Sequence, residues 1–219
     1  MPALTGSRPS LPFTLPRIYP ITDERISGLT HAQQVEQLID GGTTFIQLRE
    51  KYRSPRTFYD EALKAVDVAK RFGVPIIIND RVDIAHALGT GVHLGQGDLP
   101  PAEARRILGP EAIIGYSTHT ADQASQAADL PVNYIAVGPV FSTQTKADIE
   151  PVIGIAGLKT IRSSIGDRQI VAIGGINESN LSLVLEAGAD SVAVISSVLQ
   201  PPGQISVRMR RLITIANNI

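Results

Sequence analysis

Hydrophobic positions along the chain fall into short runs that alternate with segments of helical spacing. Eight runs rich in apolar and β-branched residues have the length of strands, at 17–22, 44–48, 75–79, 92–95, 113–117, 134–138, 170–174 and 191–195. In 55–73, apolar residues recur every three or four positions, and Gly73 is placed to end a helix there. A second helix is predicted over 177–190, with Asn177 or Ser179 as its N-cap.

The order of these elements predicts an α/β protein. Several of the strands are almost wholly apolar, which is typical of strands covered on both faces in a parallel sheet. Strand–helix alternation repeated through the chain predicts one single-domain (β/α)8 TIM barrel over residues 16–219. An open doubly wound sheet is the second interpretation, but no G-x-G-x-x-G follows an early strand, as a dinucleotide site there would require.

Composition narrows the possible partners and chemistry. The 219 residues are 43% hydrophobic and 19% charged, with a net charge of -1, so nothing favours nucleic acid or an anionic membrane as partner. The absence of cysteine excludes disulfides, thiolate nucleophiles and cysteine-ligated metals. No apolar run approaches the roughly 18 residues that span a bilayer. Residues 1–15 lack signal-peptide features and are proline-rich, so we expect a poorly ordered arm on a soluble, cytoplasmic protein.

Polar residues collect where the predicted strands end. Active sites of (β/α)8 barrels lie at the carboxyl ends of the strands. Those ends carry Asp23, Gln47, Arg49, Lys51, Asn79, Asp80, Gln96, Asp98, Ser117, Thr143, Lys146, Gly174, Gly175 and Ser196. Because side chains alternate along a strand, Gln47, Arg49 and Lys51 share one face and would project over the barrel mouth. As an isolated pair, the two cations would instead be ordinary surface residues.

The mixture of charges at this mouth indicates a metal and a diphosphate. Carboxylates repel phosphate unless a hard divalent cation such as Mg²⁺ lies between them, and Asp80 and Asp98 are the candidate ligands. Arg49, Lys51 and Lys146 would neutralise the remaining phosphate charge. Simpler alternatives exist for both acids: Asp80 could cap the helix that follows it, and Asp98 could be the N-cap of the next one.

A second anion site is predicted after strands seven and eight, where phosphate usually binds in these barrels. The pair Gly174–Gly175 would let backbone amides approach an anion, and the segment 195–197 offers amides at a helix start. A tight turn between strand and helix would also explain one of the two glycines.

Five motifs occur in one order and spacing: QLREK (47–51), NDRVDIA (79–85), GVHLGQGD (91–98), GYSTHT (115–120) and GPVFSTQTK (138–146). With these motifs the sequence resembles the thiamine phosphate synthase family. The resemblance implies a transferase that joins 4-amino-5-hydroxymethyl-2-methylpyrimidine diphosphate to a thiazole phosphate, with Mg²⁺ as cofactor. The products would be thiamine phosphate and pyrophosphate, and pyrophosphate would leave first, so no nucleophilic side chain is required.

The resemblance also implies the site residues. The pyrimidine diphosphate site would comprise Gln47, Leu48, Arg49, Glu50, Lys51, Asn79, Ser117 and Lys146. Those with a catalytic role would be Arg49, Lys51, Ser117 and Lys146. The thiazole phosphate site would comprise Thr143, Gln144, Thr145, Gly175, Ile195 and Ser196. Asp80 and Asp98 match the Mg²⁺ ligands. A homo-oligomer is compatible with the sequence, which gives no positive sign of one.

Three other functions stay open at this point. A thiazole tautomerase would need a proton-transfer residue, for which His119 is the candidate, but Lys51, Asp80 and Asp98 would then have little purpose. An aldolase would need Lys146 as a buried Schiff-base lysine, whereas this residue lies well beyond its strand among polar neighbours. A non-catalytic barrel would bind thiazole phosphate without turnover.

Overall fold

The computed structural model describes residues 13–143 and 151–219. Its eight strands are parallel and form a closed barrel in which each pairs with the next and β8 pairs with β1. They are β1 (Ile18–Thr22), β2 (Ile46–Leu48), β3 (Ile76–Asn79), β4 (Gly91–Leu94), β5 (Ile114–Thr118), β6 (Tyr134–Val137), β7 (Ile170–Ile173) and β8 (Ser191–Val194). The predicted (β/α)8 barrel is confirmed.

Helices connect the strands around the outside of the barrel. They are α1 (Glu24–Ser27), α2 (His31–Asp40), α3 (Pro55–Arg71), α4 (Val82–Leu88), α5 (Pro101–Leu108), α6 (Ala121–Ala127), α7 (Gly154–Ile165), α8 (Leu181–Glu186), α9 (Ser196–Leu199) and α10 (Ile205–Asn217), with a 3-10 turn at Pro202–Gln204. Within the described part of the chain, no helix is long and apolar enough to cross a membrane.

The helix predicted over 177–190 is shorter than its pattern indicates. The side-chain oxygen of Asn177 accepts a hydrogen bond from the backbone N–H of Ser179 (2.9 Å). The backbone N–H of Asn177 donates one to the side-chain oxygen of Asn180 (2.8 Å). These bonds fold 177–180 into a turn, since Asn side chains compete with helix formation by bonding nearby backbone. The helix therefore starts at Leu181, and the predicted N-cap at Asn177 or Ser179 is wrong.

The strand register determines which residues face the barrel interior. Tyr19 of β1 and Tyr134 of β6 come from strands that are not neighbours, yet their hydroxyls lie 2.8 Å apart, so both rings point inward. Paired residues of parallel strands share a face. The register therefore places the side chains of Gln47, Asn79 and His93 inside as well. The alternate positions pack against the helices.

An apolar plug closes the amino end of the barrel. The ring of Phe13 lies 5.4 Å from that of Phe45 and 6.4 Å from that of Tyr134. Gln169, just before β7, accepts a hydrogen bond from the Leu15 amide (2.8 Å) and donates one to the Phe13 carbonyl (2.7 Å). Residues 13–15 of the expected arm are thus packed under the barrel. Residues 1–12 lie outside the described chain.

Candidate active site

At the carboxyl end of β1 and β2, a carboxylate holds the first candidate cation. Asp23 caps α1 by accepting the Arg25 amide on Oδ1 (3.0 Å), and its Oδ2 lies 2.5 Å from Arg49 Nη1. Both are buried, with Asp23 5% and Arg49 9% exposed. A buried charge requires a partner. Asp23 therefore fixes the Arg49 guanidinium at the mouth, and the fork of N–H donors leaves it capable of binding a further oxyanion.

The second cation, Lys51, lies beside the predicted metal ligands. Its ammonium forms an ion pair with Asp80, and Asp98 accepts the Gly95 amide at 2.7 Å. Burial raises the pKa of Asp98; the Gly95 hydrogen bond opposes this, and the neighbouring negative charge of Asp80 adds to it. The two carboxylates therefore face each other closely enough to repel, with Lys51 compensating part of the charge.

The simpler alternatives for these two acids are not what the structure shows. Asp80 has a φ of 64°, a left-handed conformation that is uncommon for a residue other than glycine. Arg81, not Asp80, occupies the cap position of α4, and no side chain caps that helix. Pro100 is the N-cap of α5, so Asp98 closes the turn at 95–98 instead. Neither acid is occupied by capping a helix, which leaves both available for a cation.

Asn79 presents a buried hydrogen-bond donor at the candidate site. It ends β3 and is only 7% exposed, and its Nδ2 has no hydrogen-bond partner among the described residues. A buried donor left unpaired costs about 1–3 kcal/mol. An acceptor on a bound molecule would remove that cost.

Ser117 lies on β5, two strands from Asn79 on the same interior face. Its hydroxyl is 2.8 Å from His93 Nε2, and its carbonyl accepts a hydrogen bond from the Gln96 side chain. The structure therefore brings together Asn79, Ser117 and Gln47 inside the barrel, with Arg49 and Lys51 above them at the rim.

Two members of the predicted diphosphate site point elsewhere. Leu48 is fully buried on the helix side of β2, because it alternates with the inward Gln47. The Glu50 carboxylate accepts the amides of Tyr52 (2.7 Å) and Arg53 (3.2 Å) and so shapes its own loop. Only the backbone of Leu48 could reach a ligand at the mouth, and the Glu50 side chain is committed to the loop.

The segment after β6 is bonded to the end of β7. The Val140 amide donates to the Ile173 carbonyl (2.9 Å) and the Phe141 amide to the Gly174 carbonyl (3.0 Å). This pairing holds the start of the β6 loop against the end of β7. The predicted site residues Gln144, Thr145 and Lys146 lie outside the described residues.

The same contact explains the glycine pair. Gly174 and Gly175 have φ of 104° and 65°, and a Cβ on either would come within 2.6 Å of the backbone at Pro139 or Ser142, respectively. Close packing against the β6 loop therefore requires both glycines, whereas a tight turn was expected to explain only one. At the neighbouring strand end, Ile195 is buried and α9 begins at Ser196, so exposed helix-start amides adjoin the pair.

His119 connects two neighbouring strand ends through its hydrogen bonds. Its Nδ1 donates to the Gly138 carbonyl (2.7 Å), and its amide donates to the Gln123 side chain (2.7 Å). The ring thus joins the end of β5 to the end of β6.

Two interior tyrosines were not among the sequence candidates. The Gln47 amide donates to the Tyr19 hydroxyl (2.9 Å), which lies 2.8 Å from that of Tyr134. The available signal was strand alternation, which places Tyr19 on the inner face, but nothing local indicates its partner across the barrel.

Comparison with known proteins identifies the family of this chain. A family model described as thiamine monophosphate synthase matches residues 18–198. The chain belongs to this family. The thiamine-phosphate synthase of Albidiferax ferrireducens is 44% identical over 201 residues, covering 90% of this chain and 91% of the relative. That of Chloroflexus aurantiacus is 46% identical over 185 residues, covering 84% and 85%.

A solved structure supports the same assignment. The thiamine phosphate pyrophosphorylase of Pyrococcus furiosus superposes with a TM-score of 0.83 at 33% identity, covering 92% of this chain and 96% of that one. Family membership confirms the resemblance read from the motifs and the expected enzyme class, thiamine phosphate synthase, a transferase.

Proposed function

We propose that this protein joins 4-amino-5-hydroxymethyl-2-methylpyrimidine diphosphate to 4-methyl-5-(2-phosphoethyl)thiazole, giving thiamine phosphate and pyrophosphate. With the carboxylated tautomer of the thiazole phosphate, the carboxyl group would leave as CO2 in addition. The observation that carries the proposal is that two facing carboxylates, two cations held by ion pairs and a buried Asn79 Nδ2 with no partner among the described residues lie at one barrel mouth. This set suits a diphosphate attached to a ring that offers hydrogen-bond acceptors.

Asp80 and Asp98 fit a magnesium ion. Burial raises the pKa of Asp98 and the negative charge of Asp80 raises it further, and a divalent cation between the two carboxylates would relieve their repulsion. The described residues contain no cluster of three or more acidic or histidine groups suited to a metal. Mg²⁺ commonly uses one or two carboxylates and takes its other ligands from water and substrate phosphates. When bound, Mg²⁺ would neutralise negative charge on the diphosphate.

Arg49 and Lys51 would stabilise the leaving group. The bond between the pyrimidine methylene and the diphosphate oxygen breaks with its electron pair on that oxygen, and the electron-rich aminopyrimidine stabilises the resulting cation. Fixed cations at the mouth favour the charge that accumulates on pyrophosphate in the transition state. The thiazole nitrogen then supplies the pair for the new carbon–nitrogen bond, so no proton transfer or side-chain nucleophile is needed. We assign Lys146 the same role as Arg49 and Lys51.

The thiazole phosphate would bind at the ends of β7 and β8. Gly175, Ile195 and Ser196 offer backbone there, and the β6 loop that leads to Thr143 is bonded to the end of β7. Gln144 and Thr145 would complete the site. A tautomerase using His119 has no observation in its favour, since the Nδ1 of that ring is engaged by the Gly138 carbonyl.

The test is a product assay with both substrates, with Mg²⁺ and with a chelator. Equal release of thiamine phosphate and pyrophosphate only with metal is expected. Asp98→Asn should lower turnover by about a hundredfold, because it removes a metal ligand. It should also weaken binding of Mn²⁺ with pyrophosphate, followed by water proton relaxation.

The exposed residue Asp129, before β6, provides the matched control Asp129→Asn, which should behave as wild type. Turnover in Asp98→Asn close to wild type, with unchanged metal dependence, would refute the metal assignment. Release of no thiamine phosphate by the wild-type protein would refute the proposed reaction.

A further inference from the structure

A chain of hydrogen bonds runs through the barrel interior beneath the candidate site. It passes from Gln47 to Tyr19 (2.9 Å), from Tyr19 to Tyr134 (2.8 Å), from Tyr134 to His93 Nδ1 (3.1 Å), and from His93 Nε2 to Ser117 (2.8 Å). Its two ends are site residues, whereas its three middle members have no role in the proposed reaction.

The direction of this chain follows from its donors. With its amide nitrogen toward Tyr19, Gln47 donates there, and among the described contacts only the Tyr134 hydroxyl is then left as acceptor for the hydrogen of Tyr19. Tyr134 then has its hydrogen left for His93 Nδ1, which must accept. A neutral imidazole that accepts at Nδ1 carries its proton on Nε2. His93 therefore donates from Nε2 to the oxygen of Ser117.

We propose that His93 is a positioning residue that presents the Ser117 hydroxyl as a hydrogen-bond donor to the substrate. Because the serine oxygen accepts from His93, its own hydrogen points away from the ring. The group that receives it would be an acceptor on the pyrimidine diphosphate, either a ring nitrogen or a phosphate oxygen, and to that extent the inference rests on the proposed function. The opposite tautomer would turn the serine hydrogen toward His93 and leave the substrate facing lone pairs.

Burial and packing hold this arrangement. Tyr19 and Tyr134 are 1% and 0% exposed, and His93 is 8% exposed. The rings of His93 and Tyr134 are stacked with centroids 5.6 Å apart. Burial also raises the pKa of both tyrosines far above the ordinary value, so their hydroxyls keep their hydrogens. Among the described residues, the two tyrosine hydroxyls are bonded to each other, to Gln47 and to His93, and this buried network keeps the order of donors fixed.

The test begins with the free protein and uses Tyr134→Phe, which removes one hydroxyl and keeps the ring. The tautomer of His93 is read from nitrogen NMR of its two ring nitrogens, with its signals among those of the four histidines assigned by their loss in His93→Gln. The wild-type protein is expected to show the proton on Nε2, and Tyr134→Phe is expected to alter the Nδ1 signal.

Kinetics then separate positioning from a purely structural role. In Tyr134→Phe, kcat/KM for the pyrimidine diphosphate should fall about tenfold, as for one lost hydrogen bond, while KM for the thiazole phosphate stays within about twofold. His93→Gln offers an acceptor and a donor on one carbon, as the imidazole does, and should retain more activity than His93→Leu. Tyr59→Phe, on α3 outside the barrel, is the matched control and should behave as wild type.

A proton on Nδ1 in the wild-type protein would overturn the inference and leave the proposed function standing. So would kcat/KM in Tyr134→Phe equal to that of Tyr59→Phe. A wild-type protein that binds the pyrimidine diphosphate but makes no thiamine phosphate would overturn the proposed function alone, because the Nε2 tautomer would still support the orientation of Ser117.

Discussion

Replacing Gly115 by alanine is expected to disrupt the barrel interior at one defined contact. Gly115 pairs in register with Tyr134, and its missing side chain makes room for that ring. A Cβ at residue 115 would lie 2.1 Å from Tyr134 Cζ and 2.4 Å from its hydroxyl oxygen. Non-bonded carbon atoms prefer about 3.5–4.0 Å, so the ring or the strand must shift by about 1.5 Å.

The size of the effect follows from how tightly Tyr134 is held. The ring is fully buried among Phe13, Tyr19, Phe45 and His93, so no open space lies beside it. Overpacking a filled interior costs about 1–3 kcal/mol, and we expect the upper end here because the neighbours are rigid rings. The hydroxyl would also leave His93, so kcat/KM should fall at least as far as in Tyr134→Phe.

Urea unfolding of Gly115→Ala measures the loss of free energy of unfolding. The control is Gly203→Ala, since a Cβ at this exposed glycine meets nothing within 4 Å. A double variant with Tyr134→Ala tests the cause, because removing the ring should remove the penalty of the added methyl group. A Gly115→Ala protein within about 0.5 kcal/mol of wild type would refute the reasoning. So would strictly additive losses in the double variant.

Three further predictions use the same unfolding assay. Asp23→Asn should destabilise the protein by about 2 kcal/mol, because the buried Arg49 guanidinium loses its charged acceptor. Gly175→Ala should do so by at least about 1 kcal/mol, since the position has a positive φ and a Cβ would lie 2.6 Å from the Ser142 carbonyl oxygen. The third concerns His31, because burial lowers the pKa of its imidazole below the ordinary value of 6.5. Stability should be full above about pH 6.5 and fall below it by at most about 1.4 kcal/mol per pH unit, as the unfolded chain takes up the proton first.

Each of these has a matched comparison. Asp129→Asn controls for loss of one acidic charge, and equal stability of the two Asp→Asn variants would contradict the role given to Asp23. Gly203→Ala serves again for Gly175→Ala. For His31, the comparison is the difference in stability between pH 7.5 and 5.5 in wild type and His31→Gln. An identical difference in both proteins would show that another group causes the acid sensitivity.

Local pattern was sufficient to predict the strands and the barrel. The apolar runs are bounded by glycine, proline and polar residues, so each observed strand lies within two residues of the predicted limits. Alternation also placed Gln47 and Arg49 on the inner face correctly, because side-chain direction in a strand depends only on position along it. Family motifs then supplied the enzyme class, which residue chemistry alone left open between a transferase and its alternatives.

Features that depend on contacts between distant residues were not predictable in this way. Asp80 has a left-handed backbone, and its carboxylate forms an ion pair with Lys51. This ion pair joins the ends of two neighbouring strands whose residues are far apart in sequence. The start of α8 was misplaced because Asn177 bonds its own turn. In the sequence, Phe13 falls within the proline-rich arm. Its packing depends on the rings of Phe45 and Tyr134, which are distant from it along the chain.

The hydrogen-bond chain inside the barrel ends at the same side of the barrel as the charged residues of the mouth. Polar groups inside a barrel are costly unless every donor has an acceptor. Among the described residues, the hydrogen-bond chain that begins at Gln47 ends at Ser117, whose hydroxyl we infer to donate toward the substrate. Asn79 lies on the same interior face two strands away, and its buried Nδ2 has no hydrogen-bond partner within the described part of the chain. The proposed aminopyrimidine diphosphate would offer acceptors to both of these donors, and its diphosphate would offer negative charge to Arg49 and Lys51.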